Sequence, residues 1–278
     1  MRIFIAGGTG VIGRPLVPLL VGRGHDVLVG TRGADRVPAL REAGADGVVM
    51  DVFDAESVTA AVAAAAPDVI VHQLTSLAGG DLAANARIRT EGTRNLVDAA
   101  KRAGVRRMIA QSISWAYAPG DGPADEATLL DTAAPAPRSV SVGGVAALES
   151  AVAEIDEHVI LRYGTFYGPG TWYAPGGMVA GALAKGLVPA NDAVSSFVHV
   201  EDAAAAVVSA LGWPNGPVNV VDDEPAPAHA WVPVLAAALG APAPERTAGG
   251  NAWERGATNA RARFLGWQPA YPSWREGF

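Results

Sequence analysis

The chain has 278 residues, half of them hydrophobic, no cysteine and a formal net charge of −7. That length suits one large domain with a sizeable core, and the acidic balance without a basic run excludes nucleic acid and anionic membrane as main partners. The lack of cysteine excludes a disulfide framework, a thiolate nucleophile and a cysteine-ligated metal, and with no bilayer-length apolar run and a core strand at the N-terminus in place of a signal peptide, a cytoplasmic protein is expected.

The first predicted strand, 3–6, runs into Gly7-Gly8-Thr9-Gly10-Val11-Ile12-Gly13 and then a helix over 11–23. Gly7, Gly10 and Gly13 have GxxGxxG spacing. The first glycine allows the tight turn, the second lets backbone approach a pyrophosphate, and the third lets helix and strand pack closely. Further strands are predicted at 27–30, 47–50, 69–71, 107–111 and 159–162. Helices are predicted between them at 37–43, 57–65, 82–103 and 140–157, with Asp54 and Asp81 as N-caps. Such alternation predicts an α/β fold: a Rossmann-type, doubly wound parallel sheet with right-handed crossovers, spanning 1–163 as a dinucleotide-binding domain. Past Tyr163 the pattern changes to Gly, Pro and aromatic clusters, shorter helices at 178–185, 203–211 and 231–239, and short strands near Phe197 and 218–221. A smaller C-terminal substrate lobe over 164–278 is expected, with some elements returning to the first core. The stretches 119–137 and 242–250 read as loops.

In a doubly wound sheet ligands bind beyond the carboxyl ends of the strands. Gly7, Thr9, Gly10, Val11, Ile12 and Gly13 are therefore candidates for the phosphates. The second strand ends in Thr31 and Arg32, with Arg36 nearby, and a guanidinium suits the 2′-phosphate of NADP, so NADP is expected ahead of NAD. After the third strand, Asp51-Val52 either accepts from the adenine amino group or caps a turn. The fourth strand ends in His72-Gln73-Leu74-Thr75-Ser76, the fifth in Gln111-Ser112-Ile113-Ser114-Trp115-Ala116-Tyr117, and the sixth in Tyr163-Gly164-Thr165-Phe166-Tyr167. Gln73, Leu74, Thr75, Gln111, Tyr163 and Thr165 are assigned to the cofactor, and Ser76, Trp172 and His199 to the substrate. Ser112, Ser114, Tyr117 and Tyr167 are the candidate catalytic hydroxyls, although each can equally satisfy loop backbone. His199 can equally tie its lobe together. The five histidines lack ligand spacing, so no metal is expected, and no GxSxG elbow points to hydrolysis.

The segments GGTGVIG (7–13), NARIRTEGTRNLVDAA (85–100), RRMIAQS (106–112), LRYGTFYGPG (161–170) and FVHVEDAAAA (197–206) resemble the extended short-chain dehydrogenase/reductases of the NAD-dependent epimerase/dehydratase type. The resemblance covers nearly the whole chain. It implies a Tyr-x-x-x-Lys pair on the helix after the fifth strand: tyrosine exchanges a proton with substrate, and lysine lowers its pKa and holds the nicotinamide ribose. If Glu149 occupies the family's glutamate position four residues beyond the lysine, the tyrosine falls on Ser141 and the lysine on Val145. Lys101 and Lys185 are the chain's only lysines, and no tyrosine occurs between Tyr117 and Tyr163. The chain therefore resembles an atypical member. Three readings compete. The leading one is an NADP(H)-dependent oxidoreductase acting on a small carbonyl compound, sugar-like or from secondary metabolism. The others are a non-redox isomerase, lyase or cyclase that retains NADP, and an NmrA-like NADP-sensing protein. The resemblance also implies a homodimer joined through the helices at 82–103 and 140–157.

Overall fold

A run of branched apolar residues, Ile3-Phe4-Ile5, favours an extended strand buried on both faces, and β1 (Arg2–Ala6) buries four of its five residues. The computed structural model describes residues 1–76 and 80–278. In chain order β1 is followed by α1 (Gly13–Val21), β2 (Asp26–Thr31), α2 (Val37–Glu42), β3 (Asp46–Val49), α3 (Ala55–Ala65), β4 (Val69–His72), α4 (Leu82–Arg87), α5 (Thr93–Arg102), β5 (Arg107–Ile113), α6 (Arg138–Val152) and β6 (Glu157–Tyr163). Then come β7 (Thr165–Tyr167), α7 (Met178–Ala184), β8 (Val194–Ser195), β9 (Phe197–His199), α8 (Val200–Ala210), β10 (Gly216–Val220), β11 (Ala226–Pro227), α9 (Ala228–Ala238) and α10 (Ala260–Phe264).

The central sheet has seven strands in the order β10-β6-β5-β4-β1-β2-β3. Ile5 pairs with Val29 of β2 on one side and Val71 of β4 on the other, both in parallel register. The strand order reverses between β1 and β4, which creates the crevice where doubly wound sheets bind ligands. Asp54 and Asp81 cap α3 and α4 as expected, accepting from the N–H groups of Glu56 and Ser57, and of Ala84. The helix predicted over 82–103 is interrupted: Ile88–Gly92 forms a π-helical turn between α4 and α5. The helix predicted to reach 157 stops at Val152, because Glu157 is drawn into β6 and donates its N–H to the Arg106 carbonyl at 2.9 Å.

By internal contacts the chain forms two units. The first comprises Met1–Ser112, Asp131–Leu161 and Ala204–Pro217, and the second Ile113–Leu130, Arg162–Ala203 and Val218–Phe278. They interleave along the chain, with Ala204–Pro217 falling in the first unit and Ile113–Leu130 in the second. The first core is aliphatic, with Phe4, Met50, Val58, Ile70, Leu96, Met108, Leu148 and Val152 packed together. The second is aromatic, built on Tyr167, Phe197, Trp231 and Trp274 with Tyr173 and Phe278 against them. Among the described residues, no helix is long and apolar enough to cross a membrane.

Asp222 is buried in the second unit, where its carboxylate accepts from the N–H groups of Trp274 at 2.9 Å and Glu224 at 3.3 Å. Burial outweighs those bonds and pushes its pKa up to about 8. Between about pH 4 and that value the folded chain holds a proton that the unfolded chain has released, so this group's contribution to stability is lost as pH rises through the window. Urea unfolding of Asp222→Asn at about pH 5 and about pH 8 is expected to show a smaller fall in stability than wild type.

Candidate functional site

In the first unit the chain leaves β1 through Gly7, at φ of 96°. A Cβ there would lie 2.7 Å from the Gln73 carbonyl at the end of β4, so only glycine fits. At Gly13 a Cβ would lie 2.3 Å from the Gly8 carbonyl. The turn closes when the Gly10 N–H donates to the Gly7 carbonyl at 3.1 Å. No side chain caps the start of α1; the Arg14 N–H donates to the Gly10 carbonyl at 3.0 Å and Pro15 has none, so the Gly13 N–H is left for water or a ligand, and the helix dipole favours an anion there. Thr9 and Arg36 are drawn together, with Arg36 Nη1 donating to Thr9 Oγ1 at 3.3 Å. Both line a cavity of about 330 Å³ with Gly8, Gly13, Arg14 and Asp35, and Arg32 stands exposed outside that lining.

Two polar side chains beside this turn lack partners. Thr31 Oγ1 and both amide atoms of Gln73 are buried without a hydrogen bond. Unpaired buried groups are costly, each on the order of 1–3 kcal/mol, and these lie at the ends of β2 and β4 where the crevice opens. Glycine cradle, uncapped helix and orphaned polar atoms together fit a dinucleotide. Val11, Ile12, Gly13 and the Gln73-Leu74 backbone belong to that turn. Asp51 takes its capping reading, since its Oδ1 accepts from the Phe53 N–H at 3.0 Å, and Val52 is buried.

His72 accepts from the Leu74 N–H through Nδ1 at 3.2 Å and meets Thr93 Oγ1 through Nε2 at 2.8 Å. Burial depresses its pKa to about 4, so it is neutral. The Ser76 N–H donates to Asn85 Oδ1 at 3.0 Å, Thr75 is half-buried, and Gln111 is buried on β5. Ser112 Oγ donates to Glu149 Oε1 on α6 at 2.7 Å. Ser141, Val145 and Glu149, four residues apart, share one buried helix face. The face expected to carry the proton donor and the ammonium thus carries a hydroxyl and an isopropyl group. The nearby buried Arg89 drew no attention in the sequence, because a lone charge in a helical run reads as surface.

In the second unit several expected site residues turn out to be packed in its interior. The Tyr117 phenol donates to Asn219 Oδ1 at 2.6 Å and accepts from Arg162 Nη1 at 3.0 Å, and burial raises its pKa to about 12. Tyr163 donates to the Ala203 carbonyl at 3.2 Å. Tyr167 is fully buried, its hydroxyl directed at the carbonyls of Tyr271 and Ser273, and burial raises its pKa further still. His199 is buried, accepts from the Glu201 N–H at 3.3 Å and has its ring 3.8 Å from that of Tyr271. These positions correct the expectation that Tyr117 and Tyr167 are free proton donors, that Tyr163 offers its hydroxyl to a cofactor, and that His199 faces substrate. Trp172 is 37% exposed and is not part of the cavity lining.

Ser114 and Thr165 are brought together. They line a cavity of about 290 Å³ with Trp115, Val194, Ser195, Ser196, Trp253, Glu254 and Gly256. Two indoles, four hydroxyl side chains and a carboxylate make a surface for a small planar ligand with polar substituents. Trp115 was legible in principle as the neighbour of Ser114. Trp253 lies in a loop with no local signal.

The model of the NAD-dependent epimerase/dehydratase family matches residues 3–221. The chain belongs to this family. It is 46% identical to a Streptomyces sp. 3-diazoavenalumate denitrifying reductase over an alignment of 305 positions, covering 100% of this chain and 99% of that one. A Mycolicibacterium neoaurum 3-beta-hydroxysteroid dehydrogenase is 36% identical over 118 residues, 39% of this chain and 31% of its own. Among solved structures, the Thermus thermophilus UDP-glucose 4-epimerase complex with NAD superposes with a TM-score of 0.77 at 24% identity, over 100% of this chain and 96% of that one. The family and these relatives make the chain an enzyme with a nicotinamide dinucleotide cofactor and an oxidoreductase-type fold.

Tyr117→Phe is expected to lower the unfolding free energy by about 1–3 kcal/mol, since it strips a partner from Asn219 and Arg162, while turnover per folded molecule holds. Lost turnover at unchanged stability would return this phenol to the chemistry.

Proposed function

We propose that this protein is an NADPH-dependent reductase that replaces the diazo group of a small aromatic compound with hydrogen and releases dinitrogen. The observation that carries the reading is the buried face of α6, with Ser141 and Val145 where an acid and an ammonium would stand. Reduction of a carbonyl leaves an alkoxide that must be protonated, so it needs an acid. Reduction of a diazonium carbon does not. Hydride forms the new C–H bond, the C–N bond breaks with its electron pair leaving on dinitrogen, and no proton is consumed. When bound, a reduced nicotinamide dinucleotide supplies that hydride.

The residues support the parts of this reading in turn. The Gly7–Gly13 turn and the start of α1 hold the diphosphate. Arg36, already bonded to Thr9, donates to a 2′-phosphate, and the chain offers no carboxylate at Thr31 or Arg32 for a free ribose hydroxyl. Trp115 and Trp253 present flat faces that stack on an aryl ring and attract a positive charge on it. Ser114 and Thr165 hydroxyls orient the ring's polar substituents. The relative that covers the whole chain is named for denitrifying a diazo compound, which agrees with this chemistry.

The test is a panel of aryl diazonium acids with NADPH bearing deuterium at C4. Loss of NADPH absorbance, dinitrogen in equal amount and deuterium on the ring carbon are expected. Product formed without NADPH consumption would sink the redox reading. Arg36→Ala is expected to weaken NADPH binding about tenfold or more and to leave NADH nearly unchanged, measured by calorimetry. Ser141→Ala is expected to keep wild-type turnover, and a large loss would show that its hydroxyl does the acid's work.

A further inference from the structure

Arg89 sits in the π-helical turn Ile88–Gly92 and is only 4% exposed. A guanidinium carries five N–H donors, and this one donates a hydrogen bond to no described residue. Its stem crosses α6 at Gly144, where a Cβ would stand 3.5 Å from the Arg89 Cβ and 3.1 Å from the Ala86 Cα. The next residue of α6 is the fully buried Val145. The absence of a side chain at Gly144 thus admits a cation from the neighbouring helix beside the position where α6 itself offers none.

The surroundings say what such a group would bind. Glu149 lies close enough to favour the charged guanidinium, while its Oε1 is held by Ser112. Burial lowers the Arg89 pKa to about 10, so it stays cationic at neutral pH, and its charge adds to the depression of His72 at the end of β4. With Glu149 balancing the charge, an uncharged ligand rich in oxygen acceptors satisfies the fork without stranding a buried anion. Vicinal hydroxyls match that description. The orphaned amide of Gln73, next to His72, is a second unpaired group at the same strand end.

We propose that Arg89 holds the ribose hydroxyls of the nicotinamide nucleotide, taking over from the facing helix the work of the ammonium that α6 lacks at Val145. The inference rests on reading the first unit as a dinucleotide site. Arg89 is here a binding group, and the chemistry needs no proton from it.

The experiment compares two ligands on the full chain by calorimetry. NADPH contains the nicotinamide ribose, and 2′,5′-ADP carries only the adenine half with its phosphates. Arg89→Met is expected to weaken NADPH about tenfold or more and to leave 2′,5′-ADP within about twofold, and Arg89→Lys is expected to recover part of the loss. Parallel weakening of both ligands would mark Arg89 as a structural residue, and unchanged NADPH binding would overturn the proposal outright. Hydrogen exchange on the wild-type chain serves as a second measurement that needs no variant to fold. Exchange at Ile88–Gly92 is expected to slow with NADPH and not with 2′,5′-ADP, and equal slowing would overturn the proposal. A wild-type chain that binds neither ligand would overturn the dinucleotide reading along with this inference, whereas binding of 2′,5′-ADP with no effect at Arg89 would overturn the inference alone.

Discussion

The first unit is organised around one steric constraint: the backbone at Gly7 passes the Gln73 carbonyl so closely that a Cβ would lie 2.7 Å from it. β1 runs between β2 and β4, and the chain winds away from it in opposite senses on the two sides. At that reversal the two outgoing segments must separate around whatever the crevice holds. The approach of Gly7 to the end of β4, and of Gly13 to Gly8, sets the start of α1 over the crevice with its N–H groups uncapped. Any side chain at either glycine would push the helix off the strand and lose the anion site together with the packing of Leu16, Val17 and Leu20.

The second unit follows a different economy. Its core is aromatic, and buried aromatic residues with polar tips usually find partners, although the Trp231 indole N–H has none here. Tyr117, Tyr163 and Tyr167 therefore hand their hydroxyls to an asparagine or to backbone carbonyls. Their pKa values rise with burial at Tyr117 and Tyr167, which withdraws them further from proton transfer near neutrality. Close packing accounts for Gly168, where a Cβ would strike the His199 ring at 2.3 Å. Hydroxyl groups at strand ends thus divide into those consumed by the core and those left on a cavity wall, Ser114 and Thr165.

That division marks the limit of what the sequence could reveal. The strand–turn–helix at the N-terminus was legible because its glycines act locally, and so were the caps Asp54 and Asp81, which bond within a few residues of themselves. Alternation of strands and helices disclosed the sheet for the same reason. The fate of Tyr117 depends on Asn219, 102 residues away, and that of Tyr167 on Tyr271 and Ser273 over a similar span. No local pattern encodes those meetings. Trp253 reaches its cavity from a loop, and Arg89 is buried in a π turn packed against α6 at Gly144. That α6 contains neither tyrosine nor lysine was legible directly, since composition needs no geometry to be seen.

A buried helix face is stable only if its polar groups are matched. Val145 is apolar and packs without a partner. Ser112 and Glu149 satisfy one another at 2.7 Å, and Glu149 in turn offsets the charge of Arg89. The set is therefore close to neutral and nearly closed, with the amide of Gln73 left over. Residual donors without a residual acid suit the binding and orientation of a hydride source and ill suit protonation of an oxyanion. On the proposed reading, α6 and its neighbour act together: the helix offers no ammonium, and positive charge enters from the turn at Ile88–Gly92.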